Sequence, residues 1–305
     1  MKRLLYLCLP IISIVLLSGC IKEEYDDCER CTLTFSYVGD GVTDIFPEKI
    51  TDVKLYVFDA NNTLIQTKHI TQNDLRAFQG TKLNLKKGTY RVVGVGNSFD
   101  KTVINAPNNG AISDRSFYHP NADTGANIEG NDALYLGQQT IEMPNGWYEA
   151  NVPFRSSHLK VTYTVEVKNA DWQGTNPSES IYSLEVKNLT PKTNFENTPF
   201  GNGVTYSPSL TLASDDKHNA AFNIMRHAKQ NSVEFALTEK ATGEVINTLR
   251  LEDFLTEFTQ VDVTKQEVLI PIVVELVYEG SICTDVNVNI DIWNKEDITP
   301  GFGNN

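Results

Sequence analysis

The sequence predicts an all-β chain, two tandem antiparallel β-sandwich domains, from three observations. Apolar residues recur with a period of two along most of its length, the alternating runs are short and bounded by Gly, Asn, Asp and Pro clusters, and helical periodicity is almost absent. After a short leader the chain exceeds a typical single domain, so two units are expected, 32–155 and 156–305. With hydrophobic residues at 40% and charged residues at 21%, the composition allows a sizeable core without reliance on disulfides.

The leader is Met1-Lys2-Arg3, an apolar run to Leu17, and Leu17-Ser18-Gly19-Cys20. A basic start, an apolar stretch too short to cross a bilayer and small residues before a cysteine describe a bacterial lipoprotein signal over 1–19, with Cys20 the lipidated first residue of the mature chain. A single transmembrane anchor fits less well, because the run is short and acidic residues follow it. Residues 20–31, with Glu23-Glu24-Tyr25-Asp26-Asp27, read as a polar acidic tether. Loss of Lys2 and Arg3 with no acid moves the formal charge from −13 to −15. Such a chain carries no basic stripe for nucleic acid. Electrostatic adhesion to anionic lipid is equally disfavoured, which leaves the acyl chains as the membrane attachment.

Beyond the tether, Leu33, Phe35 and Tyr37 alternate with polar residues, as do Val53, Leu55 and Val57. Asp59-Ala60-Asn61-Asn62 has the residues of a hairpin turn into 63–70. Thr71 and Asp74 form a capping pair for a short helix that Gly80 stops, and Lys86-Lys87-Gly88 turns the chain into 89–95. Residues 97–131, crowded with Asn, Asp, Gly, Ser and Pro, read as a long loop, either functional or a tolerated insertion. Strands resume at 134–141 and 147–154. A new sheet starts with Leu159, Val161, Tyr163, Val165 and Val167, and further strands are expected at 181–187, 209–213, 221–225, 233–237, 245–251 and 268–278, with a helical turn over 251–258. Val286, Val288, Ile290 and Ile292 alternate with Asn287, Asn289, Asp291 and Trp293 in a last strand that is open to exchange between chains. No repeat aligns the two halves residue by residue.

Three cysteines remain beside Cys20: Cys28, Cys31 and Cys283. An odd number in an oxidising compartment allows one intramolecular disulfide, and a bond from Cys28 or Cys31 to Cys283 would staple the first strand to the C-terminal region. Cys28-Glu29-Arg30-Cys31 lacks the preceding strand and following helix of a redox motif, and no second Cys/His pair completes a zinc site. Nucleophile elbow, phosphate loop and His-Glu-x-x-His are all missing, and His69, His119, His158, His218 and His227 are scattered. Neither catalytic residues nor a cofactor is therefore expected. Gly94-Val95-Gly96 opens no helix, and Gly39–Asp44 reads as an acidic turn more readily than as a calcium loop. Trp147, Trp172 and Trp293 are sandwich residues or, alternatively, a stacking face for sugars.

Glu23-Glu24-Tyr25-Asp26-Asp27-Cys28, Leu33-Thr34-Phe35-Ser36-Tyr37, Phe46-Pro47-Glu48-Lys49-Ile50, Val53–Asp59 and Lys87-Gly88-Thr89-Tyr90-Arg91-Val92-Val93 together resemble the FimB/Mfa fimbrial anchor family of the Bacteroides group. Asn247–Leu251 and the terminal strand ending at Trp293 continue the likeness more weakly, and the tether resembles the Lys-plus-acidic export signals of that group. The resemblance implies transthyretin-like sandwiches and a lipoprotein of type V fimbriae in the outer membrane. Its partners would be fimbrial shaft subunits, joined by strand addition through Val286–Trp293, and it would anchor the fimbrium and limit its length. A tip or shaft position is the variant reading, since shaft subunits of this system are cut by an arginine-specific protease and Arg30 precedes the first strand. A surface glycan-binding lipoprotein using Trp147-Tyr148, or contact with a host receptor, is the alternative from another class.

Overall fold

The computed structural model describes residues 31–170, 179–213, 217–280 and 282–290. The chain enters as β1 (Cys31–Ser36), which buries Cys31, Leu33 and Phe35 and exposes Thr34, the inside–outside alternation of a pleated strand. One helical turn, α1 (Phe46–Lys49), carries Pro47 where a missing N–H costs nothing and turns Phe46 into the core. β2 (Val53–Asp59) and β3 (Leu64–Ile70) form the expected hairpin. Asp59 Oδ1 accepts the amides of Asn61 and Thr63, each at 2.8 Å, and Asn62 adopts a left-handed φ of 59° that its side chain tolerates. The cap of α2 (Gln72–Ala77) forms as read from Thr71 and Asp74, each bonding the other's amide.

β4 (Gly80–Leu83), β5 (Gly88–Gly96), β6 (Val103–Asn105), β7 (Ser116–Tyr118), β8 (Tyr135–Met143) and β9 (Tyr148–Ser156) follow. Seven strands form one sheet in the order β3-β2-β5-β8-β9-β1-β4. The change of sheet comes at Ser157, after which β10 (His158–Ala170) opens the second unit. It continues with β11 (Tyr182–Leu189), β12 (Lys192–Asn194), β13 (Pro199–Phe200), β14 (Val204–Tyr206), β15 (Thr211–Leu212), β16 (His218–Met225), β17 (Glu234–Glu239) and β18 (Val245–Arg250). Last come α3 (Leu251–Glu257), β19 (Leu269–Gly280) and β20 (Ile282–Ile290). One sheet runs β15-β16-β10-β19-β20 and faces another, β14-β11-β17-β18, across a core that includes Val161, Tyr163, Phe235 and Ile272.

Two sequence readings are corrected here. The sheets are not antiparallel throughout, because β1 runs parallel to β9 and β10 parallel to β19. Nor is 97–131 a long loop. Its β6 and β7 join β12 and β13 in a fourth sheet, Ile112 and Phe117 are buried beside Phe195 and Met225, and Ile128 enters the second core. Arg115, 0% exposed, organises this segment by donating to the carbonyls of Asn62, Pro107, Asn108, Gly110 and Ala111 while its guanidinium lies 4.3 Å above the Phe58 ring. The short strands escape notice in sequence because three residues carry too little alternation to read.

The two halves nevertheless repeat in topology. When the short strands β6, β7, β12, β13 and β15 are left aside, the first strand of each half pairs antiparallel with the fourth (β1·β4, β10·β16), the second with the third and fifth (β2·β3 and β2·β5, β11·β14 and β11·β17), the fifth with the sixth (β5·β8, β17·β18), and the first runs parallel to the seventh (β1·β9, β10·β19). β20 pairs antiparallel with β19 as β8 does with β9, but it is the outermost strand of its sheet, whereas β8 also pairs with β5.

A close approach holds the first sandwich together. Gly94 and Gly137 face each other across β5 and β8, and the Phe154 ring lies over both, so that a Cβ on Gly137 would stand 2.6 Å from it. The same ring meets Phe35 and Phe46 edge-on at centroid distances of 5.5 and 5.3 Å. The two units are then clamped by the segment before β19. Asp40 accepts the amides of Gln266 and Glu267, the Glu267 carboxylate receives the Tyr37 hydroxyl and Lys49 Nζ (2.7 Å), and Ser156 N donates to Gln266 Oε1 at 3.0 Å. Arg226 completes the clamp by donating to the carbonyls of His158, Val263, Lys265 and Gln266.

Gly137→Val is expected to cost about 1–3 kcal/mol by overpacking and Phe154→Ala about 3–5 kcal/mol by leaving a cavity, both read by urea unfolding. Stability should also fall in mild acid. Burial pushes His227 down to about 4, and His119 and His158 shift in the same direction. Above the unfolded value of about 6.5 all are neutral in both states, whereas at lower pH the unfolded chain takes protons that the folded chain refuses. The urea midpoint is therefore expected to drop between pH 6.5 and about 4, with a shallower drop in His227→Gln.

Candidate functional site

The residues that sequence reading tested for chemistry lie apart. His69 bonds Asp52 at 2.5 Å on the surface, His119 Nδ1 accepts the Asn121 amide, His158 packs edge-on against Tyr135, His218 is buried against Tyr182, and His227 Nε2 accepts the Thr190 amide. Among the described residues no group of three or more His, Cys, Asp or Glu is placed to hold a metal. The carboxylates of the Gly39–Asp44 turn are committed to the fold. Asp40 holds the clamp, and Asp44 accepts the amides of Tyr37 and Phe46 and the Gln79 side chain. Gly94 and Gly96 are packing glycines, against Phe154 and Ile50 respectively. One cavity of about 350 Å³ lies at the clamp beside Lys49, Tyr135, His158 and Glu267. Another, of about 380 Å³, lies between Asp123, Lys192 and Phe200. Trp147 lines neither.

Cys31 is buried on β1, where burial pushes its thiol up to about 11, and Cys283 stands on β20 with its thiol also raised by burial. Neither is bonded to the other in the structure, and Cys28, the alternative partner of Cys283, lies outside the described residues. Cys20, Cys28, Arg30, Trp172, Ile292 and Trp293 lie outside the described residues.

What the fold builds instead is an edge. β20 is the outermost strand of its sheet, paired to β19 in the register Leu276↔Val286, Val274↔Val288 and Ile272↔Ile290. Val286, Val288 and Ile290 pack, half-buried, on the second core, while Asn287 and Asn289 face out. The alternation read in the sequence is thus a strand with one apolar face against its own sandwich and one backbone edge without a partner among the described residues. β1, by contrast, is interior, held between β9 and β4. Trp147, 72% exposed, caps the β8–β9 hairpin as a projecting tip. No helix of the described residues is long and apolar enough to cross a membrane.

Solved structures share this fold at low identity. A candidate adhesin from Bacteroides ovatus superposes with a TM-score of 0.70 at 17% identity, covering 87% of this chain and 95% of its own. A candidate polysaccharide-binding protein from Bacteroides thetaiotaomicron gives 0.67 at 15%, covering 87% and 99%. The fimbrial anchor protein Mfa2 from Porphyromonas gingivalis gives 0.61 at 17%, covering 85% and 96%. No curated protein matches the chain. The family described as fimbrillin-A associated anchor proteins Mfa1 and Mfa2 matches over residues 25–299. The chain, an all-β sandwich protein matched over nearly its whole length, belongs to this family of fimbrial anchor proteins, a family of accessory, structural components of cell-surface fimbriae.

Proposed function

We propose that the protein fixes a fimbrium to the outer membrane through acylated Cys20, joins a shaft subunit by strand addition, and so limits fimbrial length. The observation that carries this reading is β20, which lies beside β19 as β8 lies beside β9 but, unlike β8, has no strand on its other side among the described residues. Main-chain hydrogen bonds along such an edge give affinity, and alternate side chains give specificity, without ATP or covalent linkage. β20 holds its own sandwich through half-buried Val286, Val288 and Ile290, whereas β19 beside it buries Ile270, Ile272, Val274 and Leu276. Exchange of β20 therefore costs less than exchange of any interior strand.

A head-to-tail contact of this kind propagates a filament unless one member lacks one of the two joining surfaces. The first strand supplies that asymmetry. A cut after Arg30 would release the tether and leave β1, which begins at Cys31, in place between β9 and β4, so no groove opens there. This favours a retained terminal subunit over a processed shaft subunit. The glycan-binding alternative has a weaker footing, because Trp147 stands at a tip and lines neither cavity.

Removal of the chain from Val286 onward is expected to release fimbriae into the medium or block their assembly, scored by electron microscopy and by fimbrial protein in the culture supernatant. Unchanged surface fimbriae on cells carrying the shortened, stably folded protein would refute the assignment of the joining element.

A further inference from the structure

The geometry points to the end of the first sandwich opposite the clamp as a second membrane contact, a surface built from Trp147 and the lysines of the β4–β5 turn that seats on the headgroup layer of the bilayer. The inference rests on the proposed acyl anchor and adds a specific face to it.

The register brings three segments to one pole. Cys31, where the described chain begins, lies opposite Tyr148 on one side and Leu83 on the other, and Gly88 lies opposite Met143. The turns that project there are therefore 84–87 and 144–147, immediately beside the point at which the N-terminal segment arrives. β1 and β9 are parallel and both run from this pole to the clamp, where β9 passes into β10. The second sandwich, with β20, is consequently carried on the far side of the molecule from this pole.

Ten residues lie between Cys20 and Cys31, eleven Cα–Cα steps with a reach of at most about 40 Å when fully extended. An acylated Cys20 thus keeps this pole within a tether's length of the bilayer at all times. The pole has the chemistry of an interfacial surface. Trp147 is 72% exposed, the largest apolar side chain that the described residues leave in solvent to that extent, and an indole is suited to the headgroup boundary. Lys82, Lys86 and Lys87 are all exposed on the neighbouring strand and turn. Glu142, which accepts the Thr89 hydroxyl at 2.7 Å, and Glu149 are the acids on the described strands beside them, and the acidic tether joins the fold at the same pole. On the described strands and turns of this pole three lysines stand against two carboxylates, so the ammonium groups beside Trp147 can meet headgroup phosphates while the acyl chains and the indole supply the attachment. Trp147 seated at that depth would set the long direction of β9 away from the membrane and point the edge strand outward.

The test uses the full-length acylated protein, with Trp172→Phe and Trp293→Phe so that Trp147 is the sole emitter, reconstituted in phosphatidylethanolamine–phosphatidylglycerol vesicles with and without brominated acyl chains. Mass spectrometry and co-flotation report acylation and attachment independently. The expected result is quenching of Trp147 by about two-fold or more, as befits an indole within the 5–10 Å interfacial layer, reduced by Lys86→Glu/Lys87→Glu and unaffected by Lys229→Glu. Because those substitutions touch only exposed side chains, folding is checked by the unchanged urea midpoint. As a measurement free of substitutions, the amides of 84–88 and 144–148 in the native sequence should exchange more slowly on vesicles than in detergent. An acylated, vesicle-bound protein whose Trp147 is unquenched and whose amides exchange equally in both would overturn the inference and leave the anchor reading standing. A chain that carries no acyl group would overturn both.

Discussion

The parallel pairing of β1 with β9 is the constraint on which the rest of the molecule depends. It locks the first described residue into an interior strand between β9 and β4, where Cys31 and Leu33 are 0% exposed, and so fixes where the N-terminal segment joins the fold. It also sets the direction of β9, and β9 leads through Ser157 into β10, whose parallel pairing with β19 repeats the arrangement in the second sandwich. Burying each large side chain of such a strand is worth about 1.5–3 kcal/mol, so β1 cannot leave without exposing a row of them and a sheet edge on either side.

The same constraint makes the clamp between the sandwiches effective. Tyr37 follows directly after β1, and its hydroxyl donates to Glu267 while Asp40, three residues on, accepts two amides of the segment before β19. Burial and the Glu267 carboxylate both raise the Tyr37 pKa, which keeps the phenol protonated as a donor. One end of β1 thus meets the N-terminal segment, and the residues that follow its other end meet the second sandwich.

The fold was largely legible in the sequence because alternation at period two is a direct imprint of a half-buried strand, as at Leu33-Thr34-Phe35 or Val286-Asn287-Val288. The α2 cap was legible for a different reason, since Thr71 and Asp74 are the residue types that satisfy each other's amides. What alternation does not carry is pairing direction, and the parallel partners of β1 and β10 come from far along the chain. The segment 97–131 was misread because its structure is held by Arg115 bonding to five carbonyls and by the distant strand β12, neither of which leaves a local pattern. Topological repetition was hidden for a related cause: pairing order can persist where side chains have diverged. The edge character of β20 follows from its neighbours, so the candidate joining strand was visible as a strand but not as an edge.

The proposed role as a retained terminal subunit rests on an interior first strand, a hydrogen-bonded clamp and an edge strand at the far sheet. The most direct test is mass spectrometry of the N-terminus of the protein isolated from native outer membrane. The account predicts an acylated Cys20 on a chain that runs uncut through Arg30 and β1. A mature chain without lipid that begins at Cys31 or later would contradict it.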